Sequence, residues 1–114
     1  MLAGAVLPLR QVDPGEDDRI ELTASNTFEP KHLIVKAGVT VVWKNLSTRQ
    51  HTVTSEGPGS VRSNVPKGAS PLRSGEMAPG ASYSYLFTVA GTYRYGCPDH
   101  TDVGMVGTVT VKPR

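Results

Sequence analysis

The run Gly91-Thr92-Tyr93-Arg94-Tyr95-Gly96-Cys97 is the feature that most restricts how this chain can fold. Apolar and polar residues alternate along it with a period of two, so 92–96 reads as a strand on which Tyr93 and Tyr95 share a face that, continued by the same period, also contains Cys97. The only cysteine of the chain is therefore aimed by its strand. The same alternation marks strands at about 19–25, 31–36, 39–45, 51–54, 81–88 and 106–112. Their paired residues are Ile20 with Leu22, Val41 with Trp43, Tyr83 with Tyr85 and Phe87, and Val109 with Val111. No window carries helical periodicity far enough to define a helix.

A chain of 114 residues is long enough for one core and too short for two. Nine prolines and twelve glycines divide it into short segments, the texture of an all-β protein with many turns. About seven to eight strands at this spacing imply a two-layer Greek-key β-sandwich whose inward residues form the core. The expected organisation is an N-terminal extension or edge strand over 1–18 and the sandwich domain over 19–114, with a long loop at 55–75. That loop holds four glycines, three prolines and five serines in twenty-one residues and reads as coil. Met1 to Leu9 is briefly apolar, without a charged start and far shorter than a membrane span. It is compatible with a trimmed signal or anchor, an extra edge strand, or a cloning remnant.

A formal charge of +2 and only two Phe and one Trp give no basis for nucleic-acid binding. The charge is unevenly spread. Five acids (Asp13, Glu16, Asp17, Asp18, Glu21) lie within 13–21 against one base, and four bases (Arg49, Arg62, Lys67, Arg73) lie within 49–73 against Glu56. The acidic stretch reads as a solvated turn and strand face; the basic one reads as solvated or as steering toward an acidic partner.

Past Cys97 the chain continues Pro98-Asp99-His100-Thr101-Asp102-Val103-Gly104-Met105, placing a thiol, an imidazole and a thioether in one short loop. Taken singly, these are a small buried hydrophobe, a surface histidine and a core methionine. Together they are three of the four donors of a blue-copper site, in which two histidines and a cysteine form a trigonal plane with a long axial methionine. His51, in Arg49-Gln50-His51-Thr52, supplies the fourth if the fold brings residue 51 beside residue 97. The thiolate is a soft, covalent donor, and the imidazoles accommodate both oxidation states. The weak thioether favours the reduced one. His32 has no neighbouring donor in sequence and reads as a solvated or locally satisfied side chain.

The run from Met77 to Val111 resembles the plastocyanin, amicyanin and pseudoazurin group of cupredoxins. The matching residues are Ala78-Pro79-Gly80, Tyr83, Tyr85, Phe87, Gly91-Thr92-Tyr93 through Cys97, then His100, Met105 and Gly107. Upstream, Phe28-Glu29-Pro30, Leu33-Ile34-Val35, Ala37-Gly38 and Val42-Trp43-Lys44-Asn45 match as well, so the similarity covers roughly 20–112. The spacing Cys-x2-His-x4-Met is that of plastocyanin. Thr52 departs from the pattern, because plastocyanins usually have an Asn after the first histidine, where it joins the hydrogen bonding around the metal.

The resemblance implies a type 1 site with one copper ion, Cu(II)/Cu(I), held by His51, Cys97, His100 and Met105. It further implies that His100 is the exit port within an apolar surface patch while His51 stays enclosed. Candidates for that patch are Pro98, Val103, Val106, Leu72 and Met77, the last also readable as core or as an alternative ligand. The function implied is one-electron transfer by a monomer that is not an enzyme and meets redox partner proteins, in the periplasm or at an extracytoplasmic membrane surface. A membrane tether outside these residues stays open. The alternatives are copper delivery or storage, and an electron-transfer domain of a larger oxidase or reductase. Three histidines with no His-x-His pair cannot build a trinuclear copper cluster, and one cysteine cannot hold a c-type haem by Cys-x2-Cys-His or an iron–sulfur cluster.

Overall fold

The structure, a computed structural model, describes residues 11–12, 17–56, 65–98 and 105–114. Ten strands are present among them: β1 (Gln11–Val12), β2 (Asp17–Leu22), β3 (Phe28–Glu29), β4 (His32–Lys36), β5 (Val39–Asn45), β6 (His51–Thr54), β7 (Arg73–Met77), β8 (Ser82–Phe87), β9 (Gly91–Gly96) and β10 (Val106–Lys112). They form two sheets, ordered β1-β4-β10-β9-β6-β7 and β3-β2-β5-β8. The all-β sandwich read from the alternation is the architecture found.

The period of two decides what each strand contributes to the interior. In β5, Val39, Val41, Trp43 and Asn45 are buried and the residues between them half-buried. In β10 the inward set is Gly107, Val109 and Val111. β9 turns Tyr93 and Tyr95 inward and leaves Thr92 and Arg94 in solvent. Across the sheets these residues meet as interlocked aromatic rings. Tyr95 stands edge-on to Trp43 at 5.4 Å and to Phe28 at 4.8 Å, and Tyr93 meets Phe87 at 4.7 Å. Edge-to-face pairs of this kind contribute about 0.5–1.5 kcal/mol each beyond the area they bury.

Three strands lie beyond those the alternation marks, and each has a physical reason to be hidden. β1 and β3 have two residues each, too few to show a period. β7 begins at Arg73, inside the stretch expected to be coil, and its sequence Arg-Ser-Gly-Glu-Met is polar because it is an edge strand with most of its residues exposed. It pairs with β6 through a register shift between Thr52 and Thr54. The coil expected over 55–75 is thus shorter at its C-terminal end. The loop's base is also clamped: Ser55 N donates to Leu72 O and Leu72 N donates to Ser55 Oγ. Residues 1–10 and 57–64 lie outside the described residues.

Two features of the core make predictions. A Cβ at Gly107 would come within 2.4 Å of the Tyr95 hydroxyl and 2.6 Å of its ring, and that ring is trapped between Phe28 and Trp43. Gly107→Ala should cost about 1–3 kcal/mol in urea unfolding, as overpacking does. Tyr93 is fully buried and donates its hydroxyl hydrogen to Val89 O. Burial first, then the neighbouring Tyr85, push its pKa up to about 12 against the pull of the Val89 hydrogen bond. Unfolded tyrosine ionises near ~10, so this contribution to stability is whole below that pH and is lost as pH rises through about 12. Parallel phenolate-absorbance and urea-midpoint titrations should show stability falling before Tyr93 ionises.

Candidate metal centre

Strands β6 and β9 are neighbours, joined at Thr54 and Gly96, and they bring together residues that lie far apart in sequence. His51 opens β6, and Cys97 directly follows the last residue of β9. His51 Nδ1 lies 3.8 Å from Cys97 Sγ, with the histidine 1% exposed and the cysteine fully buried. The backbone N–H of Thr52 points at the same sulfur at 3.5 Å. Because this donor belongs to the main chain, it does not depend on whether residue 52 is Thr or Asn.

Met105 directly precedes β10 and is fully buried. Its carbonyl accepts a hydrogen bond from Cys97 N at 3.1 Å, continuing the ladder in which Val106 faces Gly96. The thiol and the thioether residue are therefore held at the root of one hairpin. His100 and Val103 lie outside the described residues. Of the four candidate ligands, then, His51, Cys97 and Met105 have a described place. A soft sulfur facing an imidazole nitrogen inside an apolar sandwich, with a methionine beside it, is a donor set suited to copper.

Burial of the Tyr95 ring, two residues before Cys97, raises its hydroxyl far above the ordinary tyrosine value. Trp43 acts the other way, although neither Trp43 Nε1 nor Tyr95 Oη reaches a partner at hydrogen-bond geometry among the described residues. The aromatic floor under the site stays neutral across the working range of pH. Outside it, a shallow open depression of about 450 Å3 is lined by Thr52, Thr54, Glu56, Arg73, Gly75 and Pro98.

Two of the expected patch residues are corrected. Leu72 is fully buried and Met77 is 2% exposed, so both are core and cannot line a docking surface. Met77 is instead the cross-strand partner of His51. Pro98 and Val106 are half-buried. The basic stretch is also less basic in effect, since Arg73 Nε and Nη2 both reach Glu56 Oε1, at 2.8 and 2.5 Å. His32 is locally satisfied: its Nδ1 lies 2.8 Å from Thr108 Oγ1 on β10, away from the site.

Sequence reasoning did not find the buried hydrogen bonds that Asn45 and Ser47 make around residues 46–50, the turn leading into His51. One signal was present. Asn45 falls on the inward face of β5, where an apolar residue is expected.

Residues 17–112 match the profile of the copper binding proteins of the plastocyanin/azurin family. Plastocyanin of Scenedesmus fuscus is 39% identical over 89 residues, which are 75% of this chain and 86% of that protein. The chloroplastic plastocyanin of Hordeum vulgare is 38% identical over 88 residues, 74% of this chain and 54% of that one. Among solved structures, an oxidized amicyanin variant superposes with a TM-score of 0.64 at 31% identity, covering 82% of this chain and 80% of its own. A purple cupredoxin from Nitrosopumilus maritimus shares the fold with a TM-score of 0.66 at 24% identity, covering 82% and 98%. On these grounds the chain is a cupredoxin that belongs to the plastocyanin/azurin family of copper binding proteins, with one copper ion as its cofactor.

Proposed function

We propose that this protein is a one-electron carrier, not an enzyme, whose metal is held by His51, Cys97, His100 and Met105. The observation that carries this reading is the approach of His51 Nδ1 to the buried Cys97 sulfur at 3.8 Å, across 46 positions of sequence. Met105 supports it by its burial beside Cys97. His100 enters by the spacing Cys-x2-His-x4-Met. Copper, when bound, supplies a Cu(II)/Cu(I) couple that gains and loses one electron.

The chain's own residues do the rest. Cys97 provides the thiolate, and the Thr52 N–H draws charge from its sulfur, which favours the reduced state. His51 is enclosed by the sandwich and keeps water from that side. The covalent continuity of Cys97 with β9 gives the electron a path through bonds. Rigid strands on both sides of the sulfur hold the donors in place, so little movement accompanies a change of charge. Partners are redox proteins, reached from an extracytoplasmic compartment such as a periplasm or the outer surface of a membrane. Arg49 and Lys67, both exposed, favour a partner with an acidic face.

One equivalent of Cu(II) should give the intense thiolate-to-copper visible band and a type 1 electron paramagnetic resonance spectrum. Cys97→Ser should abolish the band while the circular dichroism of the sandwich persists; a Cys97→Ser protein that stays blue overturns the assignment. Met105→Leu should keep the colour and raise the reduction potential, because removal of a weak donor destabilises Cu(II) more than Cu(I). A stoichiometric one-electron reductant should bleach the protein reversibly with copper retained. Bleaching with release of the metal would point to delivery instead.

A further inference from the structure

Asn45 ends β5 on its inward face and is wholly buried, in the place where the alternation of Val39, Val41 and Trp43 calls for another apolar side chain. A buried amide is costly unless each of its donors and acceptors is matched. Here all are. Nδ2 donates to Arg49 O at 2.8 Å and to Met77 O at 2.9 Å. Oδ1 accepts from Ser47 N at 3.0 Å and from Ser47 Oγ at 2.7 Å. The orientation of the amide is unambiguous, because a flip would set its oxygen against two carbonyls. Its main chain is tied as well: Asn45 N donates to Ala81 O, and Gly80 N donates to Asn45 O.

The two carbonyls held by Nδ2 are not arbitrary. Arg49 lies two residues before His51 along the chain, and Met77 is the residue opposite His51 in the β6–β7 ladder. One side chain thus fixes the approach to His51 from both directions, along its own strand and from the neighbouring one. Ser47 tightens the turn further, since its hydroxyl lies within 3.0 Å of Arg49 O and accepts from Arg49 N at 3.2 Å. The Asn45 side chain comes from the opposite sheet, whose β5 is packed through Trp43 onto Tyr95 of the strand that carries Cys97. Position of the imidazole is therefore referred to the sheet-to-sheet packing rather than to the turn 46–50 itself.

We infer that Asn45 is the positioning residue of the metal centre: by holding the carbonyls of Arg49 and Met77 it sets where His51 Nδ1 stands relative to Cys97 Sγ. The inference rests on the copper reading above for its effect on metal binding, but its structural half stands in the metal-free protein. Asn45→Ser leaves both carbonyls without their donor while preserving a small polar side chain.

The test uses the 114-residue chain with Asn45→Ser, and with Val35→Ala as a core truncation remote from the turn. In the metal-free protein, amide hydrogen exchange at His51 and Thr52 should accelerate roughly tenfold in Asn45→Ser relative to its effect on β10 amides. With Cu(II) bound, the copper hyperfine coupling should shift and competition with a chelator should show roughly tenfold weaker retention. Val35→Ala should lower global stability without moving either the hyperfine coupling or the exchange ratio. Equal effects of the two variants, or unchanged exchange in Asn45→Ser, overturn the inference. Should Asn45→Ser fail to fold, Ser47→Ala decides: faster exchange at His51 supports the clamp, and wild-type exchange refutes it. A wild-type chain that takes up no Cu(II) defeats the copper reading alone, and the metal-free exchange ratio still decides the role of Asn45.

Discussion

The edge-on contact between Tyr95 and Trp43 is the interaction on which the rest of the structure depends. It joins interior strands of the two sheets, β9 and β5, of which the first leads directly into Cys97 and the second ends in Asn45. Two positions beyond Tyr95 comes Cys97, and two beyond Trp43 comes Asn45. Because both strands keep a period of two, locking the rings also fixes the direction of the thiol and the amide. A slip of one residue in either strand would turn Cys97 or Asn45 outward, expose an aromatic ring and leave the turn before His51 without its anchor. The precision of the site is thus inherited from ring packing some distance away.

The parts of this architecture that could be read from sequence were those governed by local periodicity. Seven of the ten described strands are visible in alternations such as Val39-Thr40-Val41-Val42-Trp43, because in a sandwich burial itself has that period. Spacing within the Cys97 loop, together with a histidine opening the 51–54 strand, pointed to four candidate donors, of which the structure describes His51, Cys97 and Met105. What stayed hidden is non-local. β7 has no apolar alternation, since an edge strand earns its place through pairing with β6 rather than through burial. Leu72 and Met77 look like surface candidates beside glycines and serines, yet the clamp between Ser55 and Leu72 and the ladder opposite His51 draw both inside. The use of Asn45 could be suspected only as an anomaly, a polar residue at an inward position, because its side-chain partners come from two segments, the turn at 47–49 and Met77, and the second is distant in sequence.

Aromatic rings and a main-chain donor make up much of the described surroundings of Cys97. Tyr95 and Trp43 are neutral and buried, and on β6 the sulfur of Cys97 meets the His51 imidazole and the Thr52 N–H. The nearest described ion pair, Arg73 with Glu56, sits on the rim of the depression and is largely exposed, where solvent screens it. Among the described residues, the Thr52 N–H is a hydrogen-bond donor through which this protein adjusts its sulfur.

β10, the last strand, sits in the interior of the six-stranded sheet, parallel to β4 on one side and antiparallel to β9 on the other. Until it inserts, that sheet exists as two separate pieces, β1 with β4 and β9 with β6 and β7. A chain made in order must therefore complete residues 106–112 before the two halves can close, and such long-range pairings form slowly. During that interval the sulfur of Cys97 has been made but not yet enclosed. Timing, as well as geometry, then bears on the thiol, which a partly made chain presents to oxidants before the strands on either side have closed around it.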